Sequence, residues 1–192
     1  YFYDINAKIN HKFSDRSRIY LSVYNGKDHF SANYDGDTDS KDGSTMNWGN
    51  TIVSARWNYI FNNRLFSNTT VSYNNYLFDV NSYNNNKYAN SMGASIINRY
   101  SADYRSGIND WSYQIDFDYN PSPIHHIKFG TGYIYHRFRP EVMTSKISEK
   151  TGDKVDRDTT YHSIANSRIY GHELSAYLED NIKVNDRLRL NL

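Results

Sequence analysis

The stretch DWSYQIDFDY, residues 110–119, reads cleanly with a period of two. Trp111, Tyr113, Ile115, Phe117 and Tyr119 fall on one face. Asp110, Ser112, Gln114, Asp116 and Asp118 fall on the other. Successive side chains of a strand point to opposite faces, so this is a strand whose two sides meet different surroundings. In a soluble sandwich the apolar side would enter a core. In a membrane barrel it would face lipid, and the polar side would line a wet lumen.

The same alternation recurs along the chain. In YFYDINAKINHKF, residues 1–13, Tyr3, Ile5, Ala7 and Ile9 oppose Asp4, Asn6, Lys8 and Asn10. Ile19, Leu21 and Val23 oppose Tyr20, Ser22 and Tyr24; Val53, Ala55, Trp57 and Tyr59 oppose Ser54, Arg56 and Asn58. Phe129 and Tyr133 oppose Lys128 and His136. The segment from residue 65 alternates more weakly. Leu174, Ala176 and Leu178 open another apolar face, on which Asp180 then falls; a bulge near Glu179 would restore the phase. A final strand starts at Arg187. The reading gives eight strands, with Trp57, Tyr59, Phe61, Trp111, Tyr113, Ile115, Phe117, Phe129 and Tyr133 predicted toward lipid. Arg56, Asp116, Asp118 and Lys128 are predicted toward the lumen.

Composition narrows the class. The chain has 192 residues, a mean hydropathy of −0.83 and no apolar run long enough for a transmembrane helix. A barrel strand needs only about 9–11 alternating residues, so a barrel stays open. Nineteen tyrosines suit a membrane–water boundary or a sugar-binding surface. The net charge of +1 gives no reason to expect a nucleic-acid partner. The absence of Cys excludes a thiol nucleophile, a disulfide framework and a zinc–thiolate site.

Connections sort into two kinds. Residues 13–18, 61–65, 120–125 and 184–188 are short, and three of them share a grammar of two Ser/Asn/Asp residues followed by Arg16, Arg64 or Arg187. Asn and Asp tolerate turn conformations and bond their own main chain. The tracts 31–50, 80–108 and 140–167 are polar and read as long loops. Short turns alternating with long loops fit an outer-membrane barrel better than a sandwich. If the short turns are periplasmic, both ends of this sequence lie on the outer side. The expectation is therefore an eight-strand segment of a larger transmembrane β-barrel domain spanning residues 1–192, embedded in outer-membrane lipid.

Residues 3–30, YDINAKINHKFSDRSRIYLSVYNGKDHF, and 175–192, SAYLEDNIKVNDRLRLNL, resemble barrel hairpins of TonB-dependent outer-membrane receptors. The resemblance implies a 22-stranded barrel with a luminal plug, a form known among outer-membrane transporters. It also implies import of a scarce nutrient (a glycan, peptide or metal chelate), energised by an inner-membrane TonB complex, with a surface lipoprotein as a further partner. The plug and the TonB-contacting segment have no counterpart in these residues. A passive porin, or a barrel serving as enzyme or adhesin, is the alternative.

Sites are sparse. Tyr34, Trp48, Tyr83, Tyr88 and Tyr100, in or beside the predicted loops, offer aromatic faces to a ligand, and NSYNNNKYAN at 81–90 adds amides; an ordinary polar surface is the plainer reading. Asp35, Asp37 and Asp39 have the spacing of an oxygen-rich calcium loop. Ser40 and Met46 stand where such a loop wants Gly and Glu, so a solvated acidic loop is the plainer reading, and no resident cofactor is expected. His125 and His126 are chain neighbours and point to opposite faces. His126 and His136 share a face but lie about 33 Å apart along it. Asp116 and Asp118 have the separation of some carboxylate pairs, yet read more simply as polar wall. No nucleophile elbow, zinc-binding helix motif or phosphate-cradling loop occurs, and no enzymatic role is expected.

Overall fold

The computed structural model describes all residues except 37–39 and 164–167, and nothing of the side chains of Asp35, Glu141 and Val142. The described residues form one antiparallel sheet of nine strands. The strands are β1 (Phe2–Ser14), β2 (Ser17–Asp35), β3 (Ser40–Asn62), β4 (Leu65–Ala89), β5 (Ser95–Tyr119), β6 (His125–Thr151), β7 (Lys154–His162), β8 (Ile169–Lys183) and β9 (Arg189–Asn191). They lie side by side in chain order, except that β7 folds back on β6. The sheet is open: β1 and β9 are its two edges and do not pair with each other.

The four short connections gather at one rim, as the turn grammar predicts. In each, a side-chain oxygen accepts from the main chain within the turn. Ser14 takes the Arg16 amide (3.2 Å), Asn62 takes those of Arg64 and Leu65 (2.8 and 3.1 Å), and Asn185 takes those of Arg187 and Leu188 (2.8 and 2.9 Å). Ser122 does the same for Ile124 and His125 (3.3 Å each). These small polar residues close each hairpin with atoms supplied locally.

The other end of the sheet corrects the sequence reading. The tracts 31–50, 80–108 and 140–167 are not long loops. Most of their residues belong to strands: β3 runs 23 residues, β4 and β5 run 25 each, and β6 runs 27. The reversals between them are tight. Between β4 and β5, Asn90 Oδ1 accepts from the amides of Met92 and Ala94 (3.0 and 2.9 Å). Between β6 and β7, Gly152 takes a positive φ of 58°. The polar composition misled because a strand exposed on one side needs no lipid-facing residues, and Asn–Tyr alternation satisfies the ladder equally well. The same error hid β7, which pairs with the distal half of β6 through residues 144–151, while β8 takes its rim-proximal half through residues 125–138. Nine strands therefore replace the expected eight.

Register fixes the faces, because directly opposed residues of an antiparallel pair point the same way. In the rim-proximal half, Leu21, Ala55, Val71, Tyr113 and Tyr133 follow one another across β2–β6, and Leu174 continues the row on β8. A second row runs Ser67, Phe117, Phe129, Leu178. All nine residues predicted toward lipid lie on this face. The four predicted toward the lumen, Arg56, Asp116, Asp118 and Lys128, lie on the other. No apolar side chain among the described residues is buried: Leu174 is 81% exposed, Leu178 74% and Trp111 54%. Among the described residues no second layer covers this face.

The suggested bulge near Glu179 does not form. β8 pairs with β6 without a shift, and Asp180 stays on the apolar face opposite Ile127. It sits at the turn rim, where His125 Nδ1 meets its Oδ2 at 2.7 Å. A partnered carboxylate at the end of the apolar band needs no correction of phase.

Candidate functional site

The polar face of the rim-proximal half is knit by cross-strand hydrogen bonds. The Ser22 and Ser54 hydroxyls are 2.7 Å apart, those of Ser72 and Ser112 2.5 Å, and the Tyr24 hydroxyl donates to Asp4 (2.8 Å). His136 Nδ1 meets Asp110 at 2.7 Å, with Glu173 at 3.4 Å from its other nitrogen. Asp116, offered above as half of a carboxylate pair, accepts from the Tyr177 hydroxyl (2.8 Å) and from Gln114. Asp118 holds His126 (2.9 Å) and accepts from Asn120. Both carboxylates are thus tied into the wall, and His125 and His126 lie on opposite faces as expected. Among the described residues no cluster of three or more His, Asp or Glu could hold a metal ion. Asp37 and Asp39 of the calcium reading lie outside the described residues. Asp35 ends β2.

A change of chemistry crosses the sheet at one level. Asn25, Thr51, Asn75, Asn109 and Arg137 stand in register on the face that is apolar nearer the rim. They are linked: Asn25 donates to Thr51 (2.7 Å), Asn109 to Asn75 (2.7 Å), and Arg137 to Asn109 (3.1 Å). Beyond this row the same face carries a chain from His29 through Asn47 to Asp79 (2.6 and 2.8 Å), and Asn81 donates to Asp103 (2.6 Å). Apolar residues move to the opposite face. There Phe30, Met46, Val80, Tyr104 and Met143 stand in one row, and Trp48 lies opposite Phe78 in the next. The rings of Phe78 and Tyr104 meet edge to face at 6.0 Å.

No irregular pairing produces this inversion on β2–β5. The ladders between β2 and β3 and between β4 and β5 run without a shift, and the one between β3 and β4 shifts only at Ile60, near the rim. The phase changes in the sequence itself, as in Tyr73-Asn74-Asn75-Tyr76. Only β6 uses a bulge, opposite Ser106, where Pro140 lies. A residue without an amide hydrogen is accommodated at such a point.

The predicted ligand residues divide between the faces. Tyr34, Trp48, Tyr88 and Tyr100 lie on strands, on the face that carries the distal apolar rows. Tyr34 and Tyr100 share one row with Asp42 and Asn84. Three strand spacings separate them, about 14 Å. Trp48 is six residues down the same β3 from Asp42. Tyr83 is on the opposite face, and its ring lies over Gly43. A Cβ at that glycine would collide with the ring, and the Tyr83 hydroxyl reaches toward Asn33 (3.5 Å). Of the amides at 81–90, Asn84 and Asn86 share the face of Tyr34 and Tyr100: Asn84 donates to Asp42, Asn86 to Asn84 (2.8 Å), and Ser40 to Asn86 (2.7 Å); Asn81 lies on the other face with Asp103. Phe30, Met46, Phe78, Val80, Tyr104 and Met143 were missed, although Tyr76-Leu77-Phe78-Asp79-Val80 carries its own period of two. At the tip of the β6–β7 hairpin the Thr151 hydroxyl donates to Asp156, and with Lys154 beside it this holds the carboxyl below its ordinary range.

No protein-family model matches the chain, and no curated protein matches it in sequence. Solved structures that match include two outer-membrane proteins. One is CarO of Acinetobacter baumannii, at 10% identity over 79% of this chain and 82% of that one, with a TM-score of 0.21. The other is the siderophore receptor PirA of Acinetobacter baumannii, at 9% identity over 95% of this chain, with a TM-score of 0.19. The chain spans 41% of PirA's length. Likenesses this distant settle neither family nor function.

Proposed function

We propose that this sheet is part of the wall of a bacterial outer-membrane β-barrel that imports a nutrient, with its short turns in the periplasm and its distal half outside the cell. The observation that carries the reading is the apolar band. It spans about nine residues per strand, Trp111 to Tyr119 on β5, on one face only, beside a hydrogen-bonded polar face. That is the span a tilted strand needs to cross the hydrocarbon layer. Strands β2 to β6 are more than twice as long, so their remainder projects outward as a vestibule. Its inner surface combines Trp48, Phe78 and Tyr104 with the Asp42–Asn84–Asn86 amide cluster, which suits a ligand with both apolar and hydrogen-bonding surfaces.

Energised import by a TonB-dependent receptor is the finer reading, and the hairpins at 3–30 and 175–192 support it. The test is uptake by intact cells with and without a working TonB complex. Loss of uptake without the complex supports the receptor; undiminished uptake replaces it with a passive porin. Trp48→Ala with Tyr104→Ala should weaken ligand binding about tenfold or more in either case, since buried aromatic anchors dominate recognition.

A further inference from the structure

Just distal to the Asn25–Arg137 row, on the outward face, the wall has a dent lined by Leu77, Gly107, Asn109, Arg137, Arg139 and Arg168. Three arginines therefore line one depression. Arg137 is oriented by its bond to Asn109 (3.1 Å). None of the three forms an ion pair among the described residues. Asp79, two residues further out on β4, is engaged by Asn47 (2.8 Å). Tyr170 stands in register with Arg137, and together with the next rows nearer the rim it makes a belt of rings: Tyr73 against Trp111 (4.7 Å), Tyr135 against Tyr170 (6.1 Å) and Tyr135 against His172 (5.2 Å). Aromatic belts mark the headgroup level of a membrane. The arginines thus sit where lipid phosphates lie, on the side away from the short turns.

We propose that Arg137, Arg139 and Arg168 form a binding site for the phosphate groups of a phosphorylated glycolipid in the outer leaflet. The proposal rests on the membrane-wall reading above. Three like charges in one dent repel one another and favour a multivalent anion. Guanidinium groups match phosphate oxygens with paired donors, and Asn109 holds the first of them in place. Leu77, 46% exposed between Gly49 and Gly107, offers apolar contact at the dent's inner edge.

The test uses the full-length protein in detergent, with bisphosphorylated lipid A as probe and native mass spectrometry to count bound copies. The triple variant R137Q/R139Q/R168Q should retain about tenfold less lipid A than the parent, as expected when charge-assisted bonds are lost. A control that also removes three cations, K8Q/R18Q/R56Q on the opposite face, should retain it fully. Equal retention by both variants overturns the site. If the triple variant does not fold, the parent still decides: dephosphorylated lipid A should bind about tenfold more weakly, and equal binding overturns the proposal. Millimolar inorganic phosphate should leave lipid A bound; displacement would assign the arginines to a soluble phosphate instead and overturn the lipid site. Failure of the wall reading registers separately, as a parent protein that stays soluble and monomeric without detergent.

Discussion

At the scale of the residue, the membrane-wall reading requires neighbours one position apart to answer to different solvents. Tyr113 and Gln114 are adjacent on β5, yet the first stands in the apolar row with Val71 and Tyr133 and the second faces Thr70 and Gly132 on the polar side. An arginine at Tyr113 would be placed against hydrocarbon near the middle of the band, at a cost of about 2–4 kcal/mol. At Gln114 the same arginine would meet water and the carboxylate of Asp116, at a cost near zero. Tyr113→Arg should therefore depress folding into lipid vesicles strongly, while Gln114→Arg folds like the parent. Matching folding yields for the two variants would show that the two faces do not see different solvents. The Asp180–His125 contact marks the limit of this rule, because an acid is tolerated on the apolar face once it lies at the rim with a partner.

At the scale of the element, the unexpected feature is strand length. The distal halves of β3, β4 and β5 keep an unbroken ladder, with Ser40 opposite Asn86 and Asn86 opposite Asn98. Amides in residues 76–86 and 98–106 should consequently be protected from hydrogen exchange, to a degree approaching those in residues 111–117. Exchange at the rate of an unstructured loop would restore the reading of these tracts as loops. The band itself was legible in the sequence because its alternation coincides with a strong contrast, Trp and Phe against Asp and Lys. The turns were legible because Ser14, Asn62 and Asn185 bond their own main chain. The distal strands were not, because Asn, Ser and Tyr alternate with little contrast, and because the phase reverses at residues such as Asn74 and Asn75 without a bulge to announce it. Of the five aromatic residues offered to a ligand, Tyr34, Trp48, Tyr88 and Tyr100 share one face and Tyr83 lies on the other. That division, with Phe78 and Tyr104 on the same face as the four, depended on register that only the assembled sheet supplies.

At the scale of the whole molecule, no apolar core forms among the described residues, and the sheet's stability must come from what covers its faces. Lipid on one face and a wet lumen on the other would do this nearest the rim; further out the requirement reverses, with water outside and the vestibule within. The three tryptophans of the chain sample this arrangement: Trp57 and Trp111 lie on the apolar face within the band, and Trp48 lies on the opposite face of the distal half. In vesicles of lipids brominated along the acyl chains, single Trp→Phe variants of the full-length protein would report each residue by difference. The quenchable fluorescence should fall when Trp57 or Trp111 is replaced and stay unchanged when Trp48 is replaced. Acrylamide, acting from water, should give the reverse order. Quenching of Trp48 by bromine to the same extent as Trp57 would put the distal half in lipid and remove the vestibule. No bromine quenching of any of the three would place the apolar band against protein, as in a soluble sandwich. The expected pattern requires both the membrane band and the inversion of faces beyond it, so a single set of spectra tests the wall and its vestibule together.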